Sequence, residues 1–119
     1  MKIYVKLSVL DDQGLPFMGK GPRELLLGIK RLGSINQAAK EMDLSYVKAL
    51  KIIKKMETIL GQKILKTMIG GKEHGGAELT PLAIEFLDLY MTYEAEVTTF
   101  AREQFNKINE RLDALAKTH

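Results

Sequence analysis

One stretch of the chain, residues 34–60, restricts the possible folds more than any other part. It contains two segments with apolar residues at helical spacing, and each begins directly after a serine, Ser34 or Ser45. Serine is a favoured N-cap because its hydroxyl oxygen accepts a hydrogen bond from a free amide of the first helical turn. Asp43 and Leu44 interrupt the spacing between the segments. The stretch therefore predicts a helix, a tight turn and a second helix starting at Tyr46, which is a helix-turn-helix.

The second predicted helix has an apolar face and a basic face. On a helical wheel with about 100° per residue, the apolar face, which we expect in the core, comprises Tyr46, Ala49, Leu50, Ile53, Met56 and Leu60. The opposite face is basic apart from one valine and comprises Val47, Lys48, Lys51, Lys54 and Lys55. Lysines neutralise phosphates, and valine methyl groups contact thymine methyls in a major groove. A solvated lysine face is the alternative, but a basic helix after a capped turn favours DNA binding.

Charge is distributed unevenly along the 119 residues, although the net charge is only +3. Residues 20–72 carry 12 Lys or Arg against 4 Asp or Glu, whereas residues 73–119 carry 4 against 9. Such asymmetry indicates one half that faces a polyanion and one half with another role.

The composition argues against several other functions. Cysteine is absent and the two histidines have no partner for catalysis or metal binding, so we expect no enzyme, no metal and no cofactor. No signal peptide is recognisable, and no apolar run approaches the ~20 residues of a membrane span. We therefore expect a cytoplasmic protein without membrane contact.

The region before residue 34 predicts a strand and a helix. Residues 2–10 alternate between apolar and polar types, which indicates a strand with Ile3, Val5, Leu7 and Val9 on its buried side. Residues 11–14 have the composition of a turn, and residues 15–18 predict a short edge strand. Pro22 suits the start of a helix that runs to about Leu32, with Leu25, Leu26 and Ile29 inward.

The region after residue 60 predicts a hairpin with a glycine-rich loop. Residues 63–68 and 77–80 have strand character, and residues 70–76 (GGKEHGG) join them. A phosphate-binding Walker loop is disfavoured, because no Lys and Ser or Thr follow the last glycine. A hairpin at this place is the wing of a winged helix. Lys72 and His74 are candidates for phosphate or minor-groove contacts. For His74 we favour the alternative, an exposed loop histidine that contacts no DNA.

The C-terminal region predicts one long helix that begins after Thr80. Its apolar residues recur at steps of three and four: Phe86, Tyr90, Tyr93, Val97, Ala101, Phe105, Ile108, Leu112 and Leu115. At 1.5 Å per residue the helix is about 55 Å long, beyond the ~30 Å of a small domain. We expect this stripe to pair with the same helix of a second copy in a two-fold dimer. The alternative is a break at residues 97–100, with the last segment folded back.

These expectations define a mainly α fold with little β structure. Residues 1–80 form a winged helix-turn-helix with an N-terminal strand and a glycine-rich wing, and residues 81–119 form a dimerisation helix.

Several motifs resemble a known family. Residues 19–23 (GKGPR), 33–39 (GSINQAA) and 44–46 (LSY), with the glycine pairs before Leu79 and Thr80, resemble the DNA-binding domain of the molybdate-responsive ModE regulators. Residues 34–66 are similar, more distantly, to the LysR-type winged helix. The resemblance implies a dimeric transcriptional regulator with Ser45, Tyr46, Lys48 and Lys51 near DNA and a long helix as the dimer contact.

The chain departs from the family pattern in two places. Leu50 stands where the family usually has a large aromatic residue in the recognition helix. Full-length members continue into an oxyanion-binding domain, whereas this sequence ends at His119, so no molybdate pocket is expected. No small-molecule effector is identifiable from the sequence, and an effector that acts on this domain, at the dimer contact or through a separate partner is left open.

The resulting prediction is a homodimeric regulator that binds double-stranded DNA. The candidate DNA contacts are Ser34, Ser45, Tyr46, Val47, Lys48, Lys51, Lys54, Lys55, Lys72 and His74. Among them, Ser45, Val47, Lys48 and Lys51 are the candidates for contacts with base edges. The recognition helix contains no Arg, Asn or Gln, so modest or shape-based specificity is expected. The alternative is a protein-interaction module that uses the winged helix as a scaffold and the amphipathic C-terminal helix to dock a partner.

Overall fold

The computed structural model describes residues 1–68 and 76–118. The elements in chain order are β1 (Val9–Leu10), β2 (Pro16–Met18), α1 (Lys20–Leu32), α2 (Ile35–Glu41), α3 (Tyr46–Leu60), β3 (Leu65–Met68), β4 (Gly76–Leu79) and α4 (Pro81–Thr118). Helices α1, α2 and α3 pack together, and each of two antiparallel hairpins, β1–β2 and β3–β4, flanks this three-helix unit in the chain. The predicted mainly α fold with small hairpins and a long C-terminal helix is confirmed.

Both predicted N-caps of the helix-turn-helix are present. The hydroxyl oxygens of Ser34 and Ser45 accept hydrogen bonds from the amides three residues later, at 3.2 and 3.1 Å. Two helices have glycine at their C-terminal ends: α1 ends at Gly33 and α3 ends at Gly61. The φ angles of these glycines, 69° and 71°, lie in the left-handed region that glycine adopts without a steric penalty. The predicted start of α3 at Tyr46 is therefore correct.

Helices α1 and α2 approach each other closely at two small residues. A Cβ atom added to Gly28 would lie 3.0 Å from the Cβ of Ala38, so a larger residue at either position would push the helices apart. The turn after α2 is tight because Asp43 adopts a left-handed φ of 55° and the Leu44 amide donates to the carbonyl of Ala39 at 2.9 Å. This geometry fixes the angle at which α3 leaves the pair.

The core joins the helical unit, the hairpins and the first turns of α4. Its largest fully buried side chains are Met18, Leu25, Leu26, Ile29, Ile53, Met56, Ile64 and Leu87. Burial of one such side chain contributes about 1.5–3 kcal/mol relative to exposure. Leu87 comes from α4, so the long helix starts as part of the same core.

The predicted strand over residues 2–10 is mostly wrong. Only Val9 and Leu10 pair with β2. Ile3, Val5 and Leu7 do occupy the half-buried side of the preceding segment, as the alternation indicates. This segment has no neighbouring strand among residues 1–68 and 76–118; it lies along α4 instead, where the Tyr90 hydroxyl donates to the carbonyl of Leu7 at 3.0 Å.

Helix α1 begins at Lys20 rather than at Pro22. The first hydrogen bond of the helix runs from the Arg23 amide to the carbonyl of Gly19 at 2.9 Å. Pro22 therefore lies in the first turn, where the amides have no partner inside the helix and a missing N–H has no cost.

Helix α4 is continuous over 38 residues. Thr80 caps it, since its hydroxyl oxygen accepts a hydrogen bond from the Ala83 amide at 3.3 Å. The break considered at residues 97–100 does not occur, because the helix propensity lost at a few β-branched residues is only some tenths of a kcal/mol each, roughly. The distal half projects beyond the domain and gives the molecule a length of 70 Å.

The β3–β4 hairpin confirms the two strands expected for a wing. The pairs are Leu65 with Leu79, Lys66 with Glu78, Thr67 with Ala77 and Met68 with Gly76. The loop with Lys72 and His74 lies outside the described residues. Across the two described ranges, no helix combines the length and the apolar character needed to span a membrane.

Candidate nucleic-acid interface

The first turns of α3 project from the three-helix core. Tyr46 and Val47 are 48% and 60% exposed, and Ala49 is the first residue of the helix that is buried. The prediction that Tyr46 faces the core is therefore wrong, because the packing helices do not reach the first turn of α3. Leu50, which we expected in the core, is half-buried and packs against it.

Three lysines form an exposed basic face on α3, and we use the term basic face for Lys48, Lys51 and Lys54. Among the residues that the structure describes, no acidic group forms a salt bridge with any of them. Their ammonium groups are therefore available to an external anion. Lysines held on one side of a helix can neutralise successive phosphates of a duplex.

The two capping serines lie at the entrances of α2 and α3. Each hydroxyl oxygen is engaged as an acceptor by a backbone amide. A hydroxyl can still donate its own proton while it accepts. Ser34 and Ser45 can thus stabilise their helices and also donate to a phosphate oxygen.

Lys55 differs from the other lysines of α3. Its ammonium donates to the backbone carbonyl of Pro16 at 2.8 Å, and its side chain is half-buried. It connects the middle of the recognition helix to β2. No local pattern indicates this contact, since 39 residues separate the partners.

Glu57 anchors the wing hairpin to α3, a role that our sequence analysis missed. Its carboxylate accepts a hydrogen bond from the Ile64 amide at 3.0 Å and lies 3.7 Å from the ammonium of Lys63. An acidic residue in the last turn of a helix is disfavoured by the helix dipole. This unfavourable position is the feature of the sequence that could have predicted a hydrogen-bond partner for Glu57 outside the helix.

Further bonds hold the hairpin at both ends. The Thr80 hydroxyl donates to the carbonyl of Lys63 at 2.9 Å, and the Ala77 amide donates to the carbonyl of Gly33 at 2.9 Å. The start of β3 is thus tied to the entrance of α4, and β4 is tied to the end of α1. Both described strands of the hairpin are consequently held against the helices.

Two ion pairs lie away from the basic face. Arg31 of α1 pairs with Glu41 of α2, and the hydrogen bond from Arg31 lowers the pKa of the Glu41 carboxyl. Arg23 of α1 pairs with Glu94 of α4 and with its neighbour Glu24. Some of the basic side chains of residues 20–72 therefore form salt bridges within the chain, whereas the described lysines of the basic face do not.

The predicted dimer residues are distributed over two environments. Phe86 stacks on Phe17 with ring centroids 6.2 Å apart, and Tyr90 is buried in the core of its own domain. Tyr93 is exposed, and so are Leu89 and Phe100, which were not predicted. Further along the helix Val97, Ala101 and Phe105 are half-buried, and Ile108, Leu112 and Leu115 are exposed.

The arrangement as a whole defines the class of the protein. A helix-turn-helix followed by an antiparallel hairpin is a winged helix-turn-helix domain, extended here by a long C-terminal helix. Within the described ranges no cluster of His, Cys, Asp or Glu is suited to hold a metal ion.

Comparison with known proteins identifies a narrower relationship. The chain is 34% identical over 92 residues to the molybdenum transport protein ModE of Herbaspirillum seropedicae. This match covers 77% of this chain and 34% of that protein. It is 42% identical over 86 residues to the transcriptional regulator ModE of Haemophilus influenzae. This match covers 72% of this chain and 33% of the regulator. The chain is thus homologous to the N-terminal region of ModE proteins and spans about a third of their length. No family model matches.

A solved structure supports the fold independently. The protein chain of the CbnR_DBD–DNA complex superimposes with a TM-score of 0.54 at 22% identity, over 71% of this chain and 92% of that chain. The fold of this chain is therefore that of the protein in this complex. The resemblance inferred from the motifs is confirmed, and the Haemophilus relative is named a regulator rather than an enzyme, as expected for this chain.

Proposed function

We propose that the protein is a transcriptional regulator that binds double-stranded DNA as a homodimer through the first turns of α3. The observation that carries the proposal is the exposure of Tyr46 and Val47 beside a basic face without internal partners. The regulator name of the Haemophilus relative and the DNA in the CbnR_DBD complex point in the same direction.

In this proposal α3 enters the major groove with its N-terminal end. Lys48 and Lys51 contact phosphates on one side, and Lys54 extends the contact along the helix. These charges supply affinity that falls steeply as salt increases, since binding releases counterions from the duplex. Ser34 and Ser45 donate to phosphate oxygens at the two helix entrances and set the position of the domain on the duplex.

Base selection falls to the exposed apolar pair at the start of α3. Val47 and Tyr46 offer methyl and aromatic surface, which suits the methyl group of thymine. Since the helix contains no Arg, Asn or Gln, it lacks the side chains that read adenine through two hydrogen bonds, and only its lysines could contact the acceptor atoms of guanine. Moderate specificity, assisted by the shape of the duplex, is the expected result.

The wing provides a second contact next to the groove. Glu57 and Thr80 fix the base of the hairpin. Lys72 and His74 remain proposed contacts to phosphate or to the minor groove. Lys55 is assigned to positioning of α3, because its ammonium already binds Pro16.

The homodimer is proposed to form through α4. We leave Phe86 and Tyr90 out of the contact because both pack within their own domain. The contact residues are Tyr93, Val97, Ala101, Phe105, Ile108, Leu112 and Leu115, and we add Leu89 and Phe100. Pairing places two recognition helices on one face, at half-sites about one helical turn of DNA apart (~34 Å) or a multiple of it. The molybdenum in the relatives' names is not assigned to this segment.

Selection of random duplex DNA on the purified protein, at low and near-physiological salt, tests the proposal. The expected result is an enriched two-fold symmetric motif at both salt concentrations, with a dimer mass in solution. Binding without enrichment at low salt, lost at ~0.15 M, would overturn it. That result would instead favour a protein-interaction module built on the same fold.

A further inference from the structure

A cavity of about 530 Å³ lies between the N-terminal segment, residues 3–7, and helix α4. The first turn of α1 contributes Lys20 and Arg23 to its wall. Clefts of roughly 300–1,000 Å³ that combine apolar walls with a few polar groups are the usual binding sites of small molecules. Among the described residues, none of those proposed to contact DNA lines this cavity, so DNA binding does not account for its composition.

Two sides of the cavity wall are apolar. The N-terminal segment contributes Ile3, Val5 and Leu7, the half-buried residues of its alternating pattern. Helix α4 contributes Met91 and Ala95, which are four residues apart and therefore lie on one side of the helix. Because removal of apolar surface from water is favourable, these side chains favour a ligand with an apolar body.

Hydrogen bonds hold the N-terminal segment and α1 against α4 beside the cavity. The Tyr90 hydroxyl donates to the carbonyl of Leu7 at 3.0 Å and lies 3.4 Å from a carboxylate oxygen of Glu94. Arg23 pairs with the same carboxylate from α1. The three elements around the cavity are therefore bonded to one another, and Arg23 compensates the charge of Glu94.

Positive charge exceeds negative charge in the wall. The charged side chains of the described lining are four basic and one acidic, a difference of +3: Lys6, Lys20, Arg23 and Arg102 against Glu94. Glu24 also pairs with Arg23 from outside the lining and lowers the local excess to +2. Within the described residues, no acidic side chain forms a salt bridge with Lys6, Lys20 or Arg102. This excess favours a ligand that carries an anionic group.

Two threonines of α4 add hydroxyl groups to the cavity. Thr98 and Thr99 line it next to Arg102. Elsewhere in the helices, Thr58 and Thr118 donate to the carbonyls four residues earlier, whereas no hydrogen bond of Thr98 or Thr99 occurs within the described part of the chain. A hydroxyl group donates one hydrogen bond, so both threonines can bind an anionic oxygen.

The cavity lies on a different side of α4 from the proposed dimer contact. At about 100° per residue, Ala95, Thr98 and Arg102 lie roughly a third of a turn around the helix from Val97 and Ile108. Contact between two copies through the latter side therefore leaves the α4 wall of the cavity accessible to a ligand.

We propose that this cavity binds a small organic anion, a molecule with an apolar body and one carboxylate, sulfonate or phosphate group. The apolar body lies between the N-terminal segment and α4, and the anionic group lies at Lys20 and Arg102. The sequence pattern gives no sign of the site, because 82 residues separate these two basic side chains. The site is separate from the proposed DNA contact and does not depend on it.

Two fluorescent naphthalene probes that differ in charge test the proposal on the full-length chain. Anilinonaphthalene sulfonate carries one sulfonate, and N-phenylnaphthylamine has the same ring system without a charge. Lys20→Gln combined with Arg102→Gln removes the two charges assigned to the anionic group. Lys30→Gln combined with Lys40→Gln is the matched control, because it removes the same charge from exposed positions outside the cavity.

The expected result is one molecule of the sulfonate per chain, bound about fivefold more weakly by the K20Q/R102Q variant and with natural affinity by the control. The uncharged probe should bind the natural protein and both variants equally. No binding of the sulfonate would overturn the proposal. An equal loss of both probes in K20Q/R102Q, or natural sulfonate affinity in that variant, would overturn it as well.

Ala95→Phe tests the location of the site, because it places a ring in the wall of the cavity. It should weaken binding of both probes, with the thermal unfolding and the mass in solution of the natural protein. Natural affinity for both probes in this variant would place their binding elsewhere and overturn the proposal. A change of mass would show that this side of α4 contacts a second copy, which would also overturn it. None of these measurements uses DNA, so the proposed function and this site are tested independently.

Discussion

The ammonium of Lys55 lies 2.8 Å from the carbonyl oxygen of Pro16 and donates a hydrogen bond to it. This bond joins the recognition helix to the β1–β2 hairpin at the middle of α3. Its neighbour Lys54 is exposed on the same helix. Two adjacent lysines therefore have different expected effects, one on the position and stability of α3 and one on its charge toward DNA.

Lys55→Met should lower stability by about 1 kcal/mol, the usual net contribution of one hydrogen bond. Methionine keeps the aliphatic length of the side chain and removes the donor, so the carbonyl of Pro16 is left without its partner. Urea unfolding followed by circular dichroism measures the difference. Lys54→Met is the matched control and should unfold like the natural protein. Equal midpoints for the two variants would mean that the bond contributes nothing to stability.

Lys51→Ala should weaken DNA binding and reduce the magnitude of the salt slope of log K by about 1, as expected for one lost phosphate contact. The reduction should be similar for preferred and unrelated sequences, because phosphates carry no sequence information. Fluorescence anisotropy at several salt concentrations measures it. Lys2→Ala, which removes the same charge from the segment beside α4, should leave the slope unchanged. An unaltered slope in Lys51→Ala would remove this lysine from the interface.

The local parts of the fold could be predicted from the sequence because they depend on neighbouring residues. Ser45 caps α3 through an amide three residues away, and Gly61 ends the same helix through its own backbone conformation. The alternation of residues 2–10 showed which side chains face inward, but strand pairing also needs a neighbour in space. That neighbour is a helix for residues 3–7, and only Val9 and Leu10 meet β2.

The candidate site was predicted less completely than the fold. A helical wheel gives the direction of Tyr46 and not the distance to the nearest packing helix, so its exposure could not be foreseen. Lys55 and Glu57 act through partners outside α3. The apolar spacing of α4 could not show that Phe86 and Tyr90 pack within their own domain, nor that Leu89 and Phe100 are exposed beside the predicted stripe.

Ser45→Ala should destabilise the protein by about 1 kcal/mol through loss of the N-cap of α3. Ser45→Gly provides the matched control, since glycine at an N-cap costs only a few tenths of a kcal/mol, roughly. Both variants lack the hydroxyl and should lose the same phosphate contact. If Ser45 also touches DNA, the two should bind more weakly than the natural protein by the same factor at a temperature where both are folded. Natural affinity in Ser45→Gly would restrict this serine to its structural role.

The Arg31–Glu41 pair should make stability dependent on pH in the acidic range. The hydrogen bond from Arg31 lowers the pKa of Glu41 in the folded state below its usual value of 4.5. A carboxyl group with a lowered folded pKa stabilises the fold above its unfolded pKa, and the contribution is lost as the pH falls through the folded value. Glu41→Gln should therefore flatten the loss of stability below about pH 4.5. Thermal unfolding between neutral and acidic pH measures this, with Glu110→Gln, on the exposed part of α4, as the control.

Val47→Ala should remove the preference for thymine at one position of the selected site, at a cost on the order of 1 kcal/mol. The methyl groups of Val47 are exposed at the start of α3, where a thymine methyl in the major groove is within reach in the proposed docking. Replacing that thymine by uracil removes the DNA methyl alone, so the two changes form a double-mutant cycle. The natural protein should lose affinity for the uracil site, and Val47→Ala should bind both sites equally. Val47→Thr, which keeps one methyl group, should retain part of the discrimination. If the uracil substitution weakens the natural protein and Val47→Ala by the same factor, another residue contacts the thymine.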